Sequence, residues 1–415
     1  MANINMVEKL ICNPGVKRII KALEAFGGSA RLVGGCVRDS LISRSTTDID
    51  LATDLVPDQV STALKAANIK AIPTGIKHGT ITAITAGIPY EITTLRRDSE
   101  CDGRHALVVF TDDWKEDASR RDFTFNALYC DKHGKVYDYF TGISDLQNRQ
   151  VVFIGDAEQR VNEDFLRILR VFRFHASICS DSVLSPTVTN VCTKYASKLA
   201  SLSKERIRCE FFKLLACSSC APTLAVMQDC GVLSQILPYD VNLEPLKSPH
   251  LVGRSPIAKF AVMLKAHSLI QDPDIFTKHI SSLFRLSKKE KKLLEILLYT
   301  SPNLPLSSVQ QQKYMNALGT ELYKDLVIMS FITNDKLPES VLLSHLESAV
   351  MFKPSYMPVS GSDLTKLGYK EGRLLGQVLK ALRDTWEQDP QNVTKAQLLV
   401  MAKSMLDGRD SDITN

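Results

Sequence analysis

The hydrophobic pattern of residues 1–155 predicts a mixed α/β domain. A first helix is expected at 13–26, because Asn13 can cap it, Pro14 suits its first turn and Gly27 ends it. Short β-type runs follow, separated by turn residues and by two short helices. The expected strands are 30–33, 48–52, 80–85, 90–95, 107–110, 123–129 and 136–139, and the expected helices between them are 36–43 and 57–67.

After residue 155 the pattern is helical almost throughout, which predicts an α/β head followed by an elongated all-α remainder. The expected helices are 157–176, 188–199, 203–217, 221–229, 256–269, 273–284, 287–299, 308–318, 338–350, 362–367, 371–386 and 394–406. Connectors interrupt them at 236–256, 300–306 and 352–361. The predicted domains are therefore a head at 1–155, a neck at 156–240, a body at 241–351 and a tail at 352–415.

Composition narrows the function only slightly. The 415 residues carry a net charge of +5, which suits a phosphate-bearing partner but is shared by many other proteins. The scattered cysteines predict reduced thiols, and Cys217 and Cys220 lack the second ligand pair of a zinc site. Because we find no signal peptide and no apolar run of about 18 residues, we predict a cytoplasmic protein outside membranes.

The strongest local signal is a glycine pair followed by two aspartates. Gly34 and Gly35 stand between a predicted strand and a predicted helix, where backbone N–H groups and Arg38 can approach a phosphate. Asp48 and Asp50 are two apart on a predicted strand, so both carboxylates point to one face. A shared cation would relieve their repulsion, and oxygen ligands favour Mg²⁺. The alternative is a glycine turn followed by two solvated aspartates.

Two further charged clusters follow, at 120–126 and at 163–173. On one continuous helix, the charged residues of the second cluster share one half of the surface, and most large apolar residues share the other. These charged residues are Glu163, Asp164, Arg167, Arg170 and Arg173. The arginines outnumber the acids, which indicates an anionic ligand. The alternative is a surface helix held by ion pairs between residues three or four apart.

The order and spacing of these motifs resemble the class II tRNA nucleotidyltransferase and bacterial poly(A) polymerase family. The motifs are G-G-x-V-R-D at 34–39, D-x-D at 48–50, R-R-D-x-x-x-N-A at 120–127, E-D-x-x-R at 163–167 and E-R-I-x-x-E at 205–210. The resemblance implies a polymerase β-like nucleotidyltransferase head with a helical neck, body and tail. It also implies an enzyme that extends RNA without a template, with Mg²⁺ as cofactor and tRNA, CTP and ATP as partners. No protein partner is inferable.

The resemblance also implies residue roles. Asp48 and Asp50 match catalytic carboxylates that bind the metal ions. The residues implied to contact the nucleotide are Gly35, Arg38, Arg121, Asp164, Arg167, Arg170 and Arg173. Within that set, Asp164 and Arg167 match the pair that reads the incoming base. Glu91, on a neighbouring predicted strand, is a candidate third carboxylate near the metals.

Two segments favour the CCA-adding branch of the family. Residues 73–80 resemble that branch and lack the basic stretch usual in the poly(A) polymerases. Segment 94–113, which contains Arg96, Arg97, Asp102, Gly103 and Arg104, resembles the flexible loop of complete CCA-adding enzymes. We therefore predict full addition of C, C and A. The alternatives are a poly(A) polymerase, a partial CC- or A-adding enzyme, and a catalytically silent tRNA-binding protein.

Overall fold

In the computed structural model, the described residues are 4–46, 48–99, 107–268, 272–334, 336–354, 356–386 and 392–410. The chain forms two compact units, Met1–Leu243 with Ser282–Arg285 and Glu244–Ser281 with Leu286–Asn415. All strands of the described residues lie in the first unit. The α/β head followed by a helical remainder is therefore confirmed, whereas the finer division into neck, body and tail stays a prediction.

The strands of the first unit form one large sheet and one ribbon. They are β1 (Ala30–Val33), β2 (Asp50–Thr53), β3 (Lys70–Gly75), β4 (Thr80–Thr85), β5 (Ile88–Thr94), β6 (Arg96–Ser99), β7 (Leu107–Phe110), β8 (Leu128–Cys130) and β9 (Val136–Asp138). Seven of them form a sheet in the order β3-β4-β5-β2-β1-β8-β9, and β6 pairs with β7 alone. β2 and β5 are parallel, and the other neighbours are antiparallel.

The strand register brings separate sequence motifs to one end of the sheet. β1 runs antiparallel to β2 with Leu32 opposite Leu51, so β1 ends where β2 begins. On the other side of β1, Val33 lies opposite Tyr129 of β8. β5 runs parallel to β2 and puts Glu91 opposite Asp50. The glycine turn after β1, the start of β2 and the residues before β8 therefore meet.

The helices of the first unit cover this sheet and extend beyond it. They are α1 (Ile4–Ile11), α2 (Pro14–Ala25), α3 (Gly35–Leu41), α4 (Pro57–Ala66), α5 (Trp114–Ser119), α6 (Gly142–Gln147), α7 (Ala157–Glu163), α8 (Leu166–Ile178), α9 (Pro186–Tyr195), α10 (Lys204–Ala216), α11 (Ala221–Asp229) and α12 (Val232–Ile236). The Asn13 side chain caps α2 as predicted by accepting hydrogen bonds from the amides of Gly15 and Val16 at 2.9 and 3.2 Å. Ile19 and Leu23 of that helix are buried in the same apolar cluster as the sheet.

All regular secondary structure among the described residues of the second unit is helical. Its helices are α13 (Pro256–Ser268), α14 (Pro273–Leu283, whose end belongs to the first unit), α15 (Lys288–Tyr299), α16 (Ser308–Leu318), α17 (Thr320–Ile332), α18 (Glu339–Met351), α19 (Gly361–Lys366), α20 (Arg373–Trp386) and α21 (Lys395–Asp410). Short 3-10 helices lie at Ile76–His78, Thr124–Asn126, Ala196–Ser201, Glu244–Lys247 and Pro249–Leu251. The sequence analysis missed α17. Six of the seven residues from Tyr323 to Met329 are buried, so this helix has no amphipathic period that the sequence could show.

Two predicted elements are wrong. The single helix expected at 157–176 is two helices, α7 and α8, because Asp164 adopts an extended backbone with φ −153° and ψ 104°. Its carboxylate accepts a hydrogen bond from the amide of Leu166, the first residue of the second helix, at 3.1 Å. The strand expected at 123–129 starts only at Leu128, because a 3-10 turn occupies Thr124–Asn126.

The composition-based expectations concern thiols and membranes. The cysteines in the described part of the chain are not joined in disulfides, and six of them are buried: Cys36, Cys130, Cys179, Cys192, Cys220 and Cys230. Burial raises the pKa of Cys36 to about 11, which suits packing rather than reactivity. Across the described residues, no helix combines the length and apolar character that crossing a bilayer requires.

Candidate active site

A cavity of about 480 Å³ opens in the first unit, where the glycine turn meets the start of β2. Its lining contains Gly34, Gly35, Arg38, Asp50, Arg121, Asp122, Asn126, Asp164, Leu166, Arg167, Arg170, Arg173, Phe174 and Arg206. Six arginines face three aspartates across this lining, an excess of positive charge that suits a ligand with several negative charges. The site residues predicted from the sequence line the cavity, except Asp48, which is exposed and precedes β2, and the candidate third carboxylate Glu91.

The glycine turn determines how closely Arg121 approaches the main chain. Gly34 has φ 70° and ψ −124°, a conformation that essentially only glycine adopts without strain. A Cβ atom at Gly34 would lie 3.4 Å from Nη1 of Arg121. The Gly34 amide already donates a hydrogen bond to the carbonyl of Leu128 at 3.0 Å. The missing side chain therefore leaves room for the Arg121 guanidinium, and the Gly34 amide is already bonded to the first residue of β8.

Three carboxylates gather beside the cavity at Asp48, Asp50 and Glu91. Burial raises the pKa of Asp50 to about 6, the charges of Glu91 and Asp48 add to this rise, and Arg121 opposes it. β2 begins at Asp50, not at Asp48 as predicted, because β1 leaves the sheet at Gly34 and earlier residues lack that neighbour. Mutually repelling oxygen donors of this kind fit a divalent cation.

These acids do not form a complete metal cage by themselves. Among the residues that the structure describes, no group of three or more His, Cys, Asp or Glu side chains is arranged to hold a metal ion. Mg²⁺ is usually bound through one or two carboxylates together with substrate phosphates and water. The donor set of Asp48 and Asp50 fits that mode of binding, in which the nucleotide completes the coordination.

The raised pKa of Asp50 predicts a pH effect on the metal-free protein. Between about pH 4 and 6, Asp50 holds a proton in the folded protein that it lacks in the unfolded chain. The charge of Asp50 therefore destabilises the folded protein fully above about pH 6, and this destabilisation decreases as the pH falls. In EDTA, Asp50→Asn should therefore unfold at higher urea concentration than the wild type at pH 7.5. The difference should shrink at pH 5. An equal stability difference between the variant and the wild type at both pH values would contradict a raised pKa of Asp50.

A buried aspartate on α5 holds Arg121 in place. The Asp117 side chain is 1% exposed. It accepts hydrogen bonds from Arg121 at 3.2 Å, from Arg120 at 2.8 Å and from the Tyr129 hydroxyl at 2.6 Å. Burial alone would raise the pKa of Asp117, but the charges of Arg121 and Arg120 lower it to about 2. Sequence analysis missed this residue, although its spacing of three and four from the two arginines was a visible signal.

Asp117 and its neighbour Glu116 provide a matched stability test. Asp117→Asn leaves two partly buried guanidinium groups without a negative partner, which should lower the unfolding free energy by about 3 kcal/mol. Glu116 forms an ion pair with Arg97, whose side chain is 57% exposed. Glu116→Gln should therefore cost less than about 0.5 kcal/mol. Urea denaturation of both variants tests the contrast, and equal losses would contradict a special role for Asp117.

The motif at 120–127 connects Arg38 of α3 with Arg170 of α8. Asp122 accepts hydrogen bonds from Nε of Arg170 at 2.6 Å and from the Asn126 amide at 2.9 Å. The amide oxygen of Asn126 accepts in turn from Nη1 of Arg38 at 2.5 Å. Burial raises the pKa of Asp122, but the charge of Arg170 and these hydrogen bonds lower it below its ordinary value. Two cavity arginines from distant parts of the chain are thereby oriented by one continuous hydrogen-bonded series.

The next arginine of α8 is held by the motif at 205–210. Nε of Arg173 lies 2.5 Å from the carboxylate of Glu210, a residue of α10 that is 5% exposed. Burial lowers the pKa of Arg173, and the nearby charges of Arg170 and Arg38 lower it further, although Glu210 opposes this. Guanidinium groups crowded closely enough to repel one another are stabilised by a bound anion.

Asp164 and Arg167 both line the cavity, but they do not share one helical face as predicted. Asp164 lies in the break before α8, and its second oxygen accepts a hydrogen bond from Arg206 at 2.8 Å. Arg167 donates to Glu163 at 2.7 Å and to the carbonyl of Arg160 at 3.0 Å. Sequence analysis did not assign Arg206 to the site, although it belongs to the E-R-I-x-x-E motif. Only the fold brings that motif to Asp164.

The segment at 94–113 is partly a β-ribbon. β6 pairs with β7 in antiparallel register, with Arg96 opposite Phe110. Arg97 forms its ion pair with Glu116 of α5. The predicted loop residues Asp102, Gly103 and Arg104 lie outside the described residues.

Comparison with known proteins places this geometry in a family. Residues 30–152 match the family described as "Poly A polymerase head domain", and residues 184–240 match "Probable RNA and SrmB- binding site of polymerase A". The mitochondrial CCA tRNA nucleotidyltransferase 1 of Danio rerio is 33% identical over 387 residues, which cover 89% of this chain and 86% of that protein. The chain belongs to the CCA tRNA nucleotidyltransferase family.

Bacterial proteins extend the likeness to the CCA tRNA nucleotidyltransferase family. The CCA-adding enzyme of Lactobacillus johnsonii is 28% identical and covers 88% of this chain and 90% of its own length. The crystal structure of the Bacillus stearothermophilus CCA-adding enzyme in complex with CTP has a TM-score of 0.69 at 23% identity, covering 96% of this chain and 100% of that one. That structure has the same fold. Nucleotidyltransferases of this family generally use divalent metal ions.

Proposed function

We propose that this protein adds C, C and A to the 3′ end of tRNA from CTP and ATP, without a nucleic-acid template and with release of pyrophosphate. The observation that carries the proposal is the cavity that joins Asp50 to six arginines. Such a site can bind a triphosphate beside a metal-binding carboxylate. Membership of a family whose relatives are tRNA nucleotidyltransferases and CCA-adding enzymes supplies the acceptor and the nucleotides.

The proposed metal ligands are Asp48 and Asp50, and the proposed ion is Mg²⁺. Support comes from the position of Asp50 beside Glu91 and Asp48: burial raises the pKa of Asp50, and the negative charges of these two neighbours raise it further. When bound, the divalent ion would lower the pKa of the attacking 3′-hydroxyl and stabilise the charge of the leaving group. Glu91 adds negative charge opposite Asp50, which strengthens the attraction of this edge for a cation.

The proposed phosphate-binding groups lie on three different segments of the chain. Gly35 and Arg38 come from α3, Arg121 from the segment before β8, and Arg170 and Arg173 from α8. Each of these arginines has an acidic partner that orients it, namely Asp39, Asp117, Asp122 and Glu210. An arginine held in this way loses little side-chain entropy when it binds a phosphate.

The proposed base-reading pair is Asp164 with Arg167. An ionised aspartate only accepts hydrogen bonds, and an arginine only donates them. Cytosine and adenine each present an exocyclic amine beside an unprotonated ring nitrogen, which matches that pair. Uracil and guanine present a carbonyl beside a ring N–H, which does not. Both residues line the cavity, so the protein itself can take the place of a template.

The remaining assignments follow from the same proposal. The head at 1–155 would carry the chemistry, the neck at 156–240 the base-reading residues, and the body and tail would hold the tRNA by shape and phosphate contacts. The cytoplasm stays the predicted compartment. The Danio rerio relative carries the word mitochondrial in its name. Fractionation of the source cells, with tRNA nucleotidyltransferase activity as the readout, decides between the two compartments.

The experiment that tests the proposal uses tRNA lacking its last three nucleotides, Mg²⁺ and labelled nucleotides added singly or together. With CTP and ATP we expect C, C and A to be added, after which extension stops. Long A-tails made from ATP alone on unrelated RNA would indicate a poly(A) polymerase. Addition that stops after C, C or requires a C, C end would indicate a partial enzyme. No incorporation with intact tRNA binding would indicate a silent binding protein.

A further inference from the structure

One aromatic ring contacts three of the cavity arginines at once. The guanidinium carbons of Arg38, Arg170 and Arg173 lie 5.0, 5.3 and 3.9 Å from the centroid of the Phe174 ring. Arg38, Arg170 and Arg173 form an arginine trio around this ring. Distances of this order are those at which a cation is attracted to the electron-rich face of an aromatic ring.

The ring itself has little freedom to move. Phe174 is 3% exposed and lines the cavity. It also contacts the rings of Phe123 and Phe125 at centroid distances of 5.4 and 5.3 Å, in T-shaped geometry. Phe123 and Phe125 are fully buried. The ring is therefore held by buried aromatic residues while it contacts the arginine trio.

The acidic partners of the arginine trio do not remove the repulsion among its three positive charges. Arg38, Arg170 and Arg173 are held along their N–H edges by Asp39, Asp122 and Glu210. Cations this close to one ring still repel one another: after burial, the charges of Arg170 and Arg38 are among the causes that lower the pKa of Arg173. A ring that attracts all three offsets this repulsion while the cavity is without an anion.

We propose that Phe174 is a positioning residue that keeps the arginine trio in the arrangement that binds the triphosphate of the incoming nucleotide. The inference rests on the proposed function, since it concerns the same cavity. The sequence accounts for one of the three contacts, because Arg170 and Phe174 are four residues apart on α8. The contact with Arg38 exists only in the fold.

The test replaces Phe174 in the full-length protein by phenylalanines that carry one, two or three ring fluorines. Fluorine withdraws electron density from the ring face and weakens cation–π attraction stepwise, with little change in volume or hydrophobicity. The KM for both CTP and ATP should rise with each fluorine, to about ten-fold for the trifluoro ring. The kcat on tRNA lacking its end should stay within about two-fold. Equilibrium binding of CTP without tRNA should weaken in parallel.

The matched control is the same series at Phe172, which lies on the same helix and is also fully buried. KM should not change there. A flat KM at Phe174, an equal rise at Phe172, or a fall in kcat alone would overturn the proposal. The monofluoro ring changes one atom, so it decides the question where a heavier ring unfolds the protein. Failure of the proposed function itself is distinct, because the wild type would then add no nucleotide.

Discussion

Replacing Asp50 by asparagine should reduce the addition of both C and A by about 1,000-fold or more, because a neutral amide cannot hold a divalent cation as a carboxylate does. A metal ion that stabilises the charge of a phosphoryl-transfer step contributes several kcal/mol, and about 4 kcal/mol corresponds to 1,000-fold in rate. Asp48→Asn should behave in the same way. The measurement is the single-turnover rate of each addition at saturating CTP or ATP.

The control separates loss of chemistry from loss of structure. Asp58 is an exposed aspartate in the first turn of α4, away from the cavity, so Asp58→Asn should keep full activity. Asp50→Asn should keep tRNA binding and, in EDTA at pH 7.5, should be more stable than the wild type. Loss of activity together with loss of the fold would leave no support for a catalytic role. Substantial activity in Asp50→Asn would remove the metal assignment.

Asp164→Asn should lower discrimination between CTP and UTP, and between ATP and GTP, by about 10- to 100-fold. One oxygen of Asp164 accepts from the Leu166 amide at 3.1 Å, and asparagine can keep that contact. The NH₂ group of the asparagine then replaces the second carboxylate oxygen. A base carbonyl, as in uracil or guanine, therefore meets a hydrogen-bond donor at this position. One mismatched buried group costs about 1–3 kcal/mol, which sets the size of the effect.

The double variant Asp164→Arg with Arg167→Asp should go further and favour UTP and GTP, because both hydrogen-bonding directions are exchanged. The quantities to compare are the kcat/KM values for all four nucleotides on tRNA lacking its end. Glu158→Gln, on α7 and outside the cavity lining, is the matched control and should leave the four ratios unchanged. Wild-type ratios in Asp164→Asn would mean that Asp164 serves only as the ion-pair partner of Arg206.

Much of the fold was predictable because local patterns carry it. The Asn13 cap and the glycine stop predicted α2, and the short apolar runs predicted β1, β4 and β7 with the bounds that the structure has. Strands with weak local signals were missed: β3 is largely exposed, and β6 begins with two arginines. Their pairing with β4 and β7 stabilises them, and a single-sequence pattern does not contain that information.

The sequence by itself determined the motif set: the glycine turn, the paired aspartates, and the arginines before β8 and on α8. Their order was sufficient to indicate the family and the candidate residues. Tertiary structure alone decided that Asp122 holds Arg170, that Arg206 reaches Asp164, and that one ring meets the arginine trio. The reason is that a side chain's partners depend on strand register and helix breaks far along the chain. Local periodicity predicts which face a residue occupies, and only the fold determines what that face contacts.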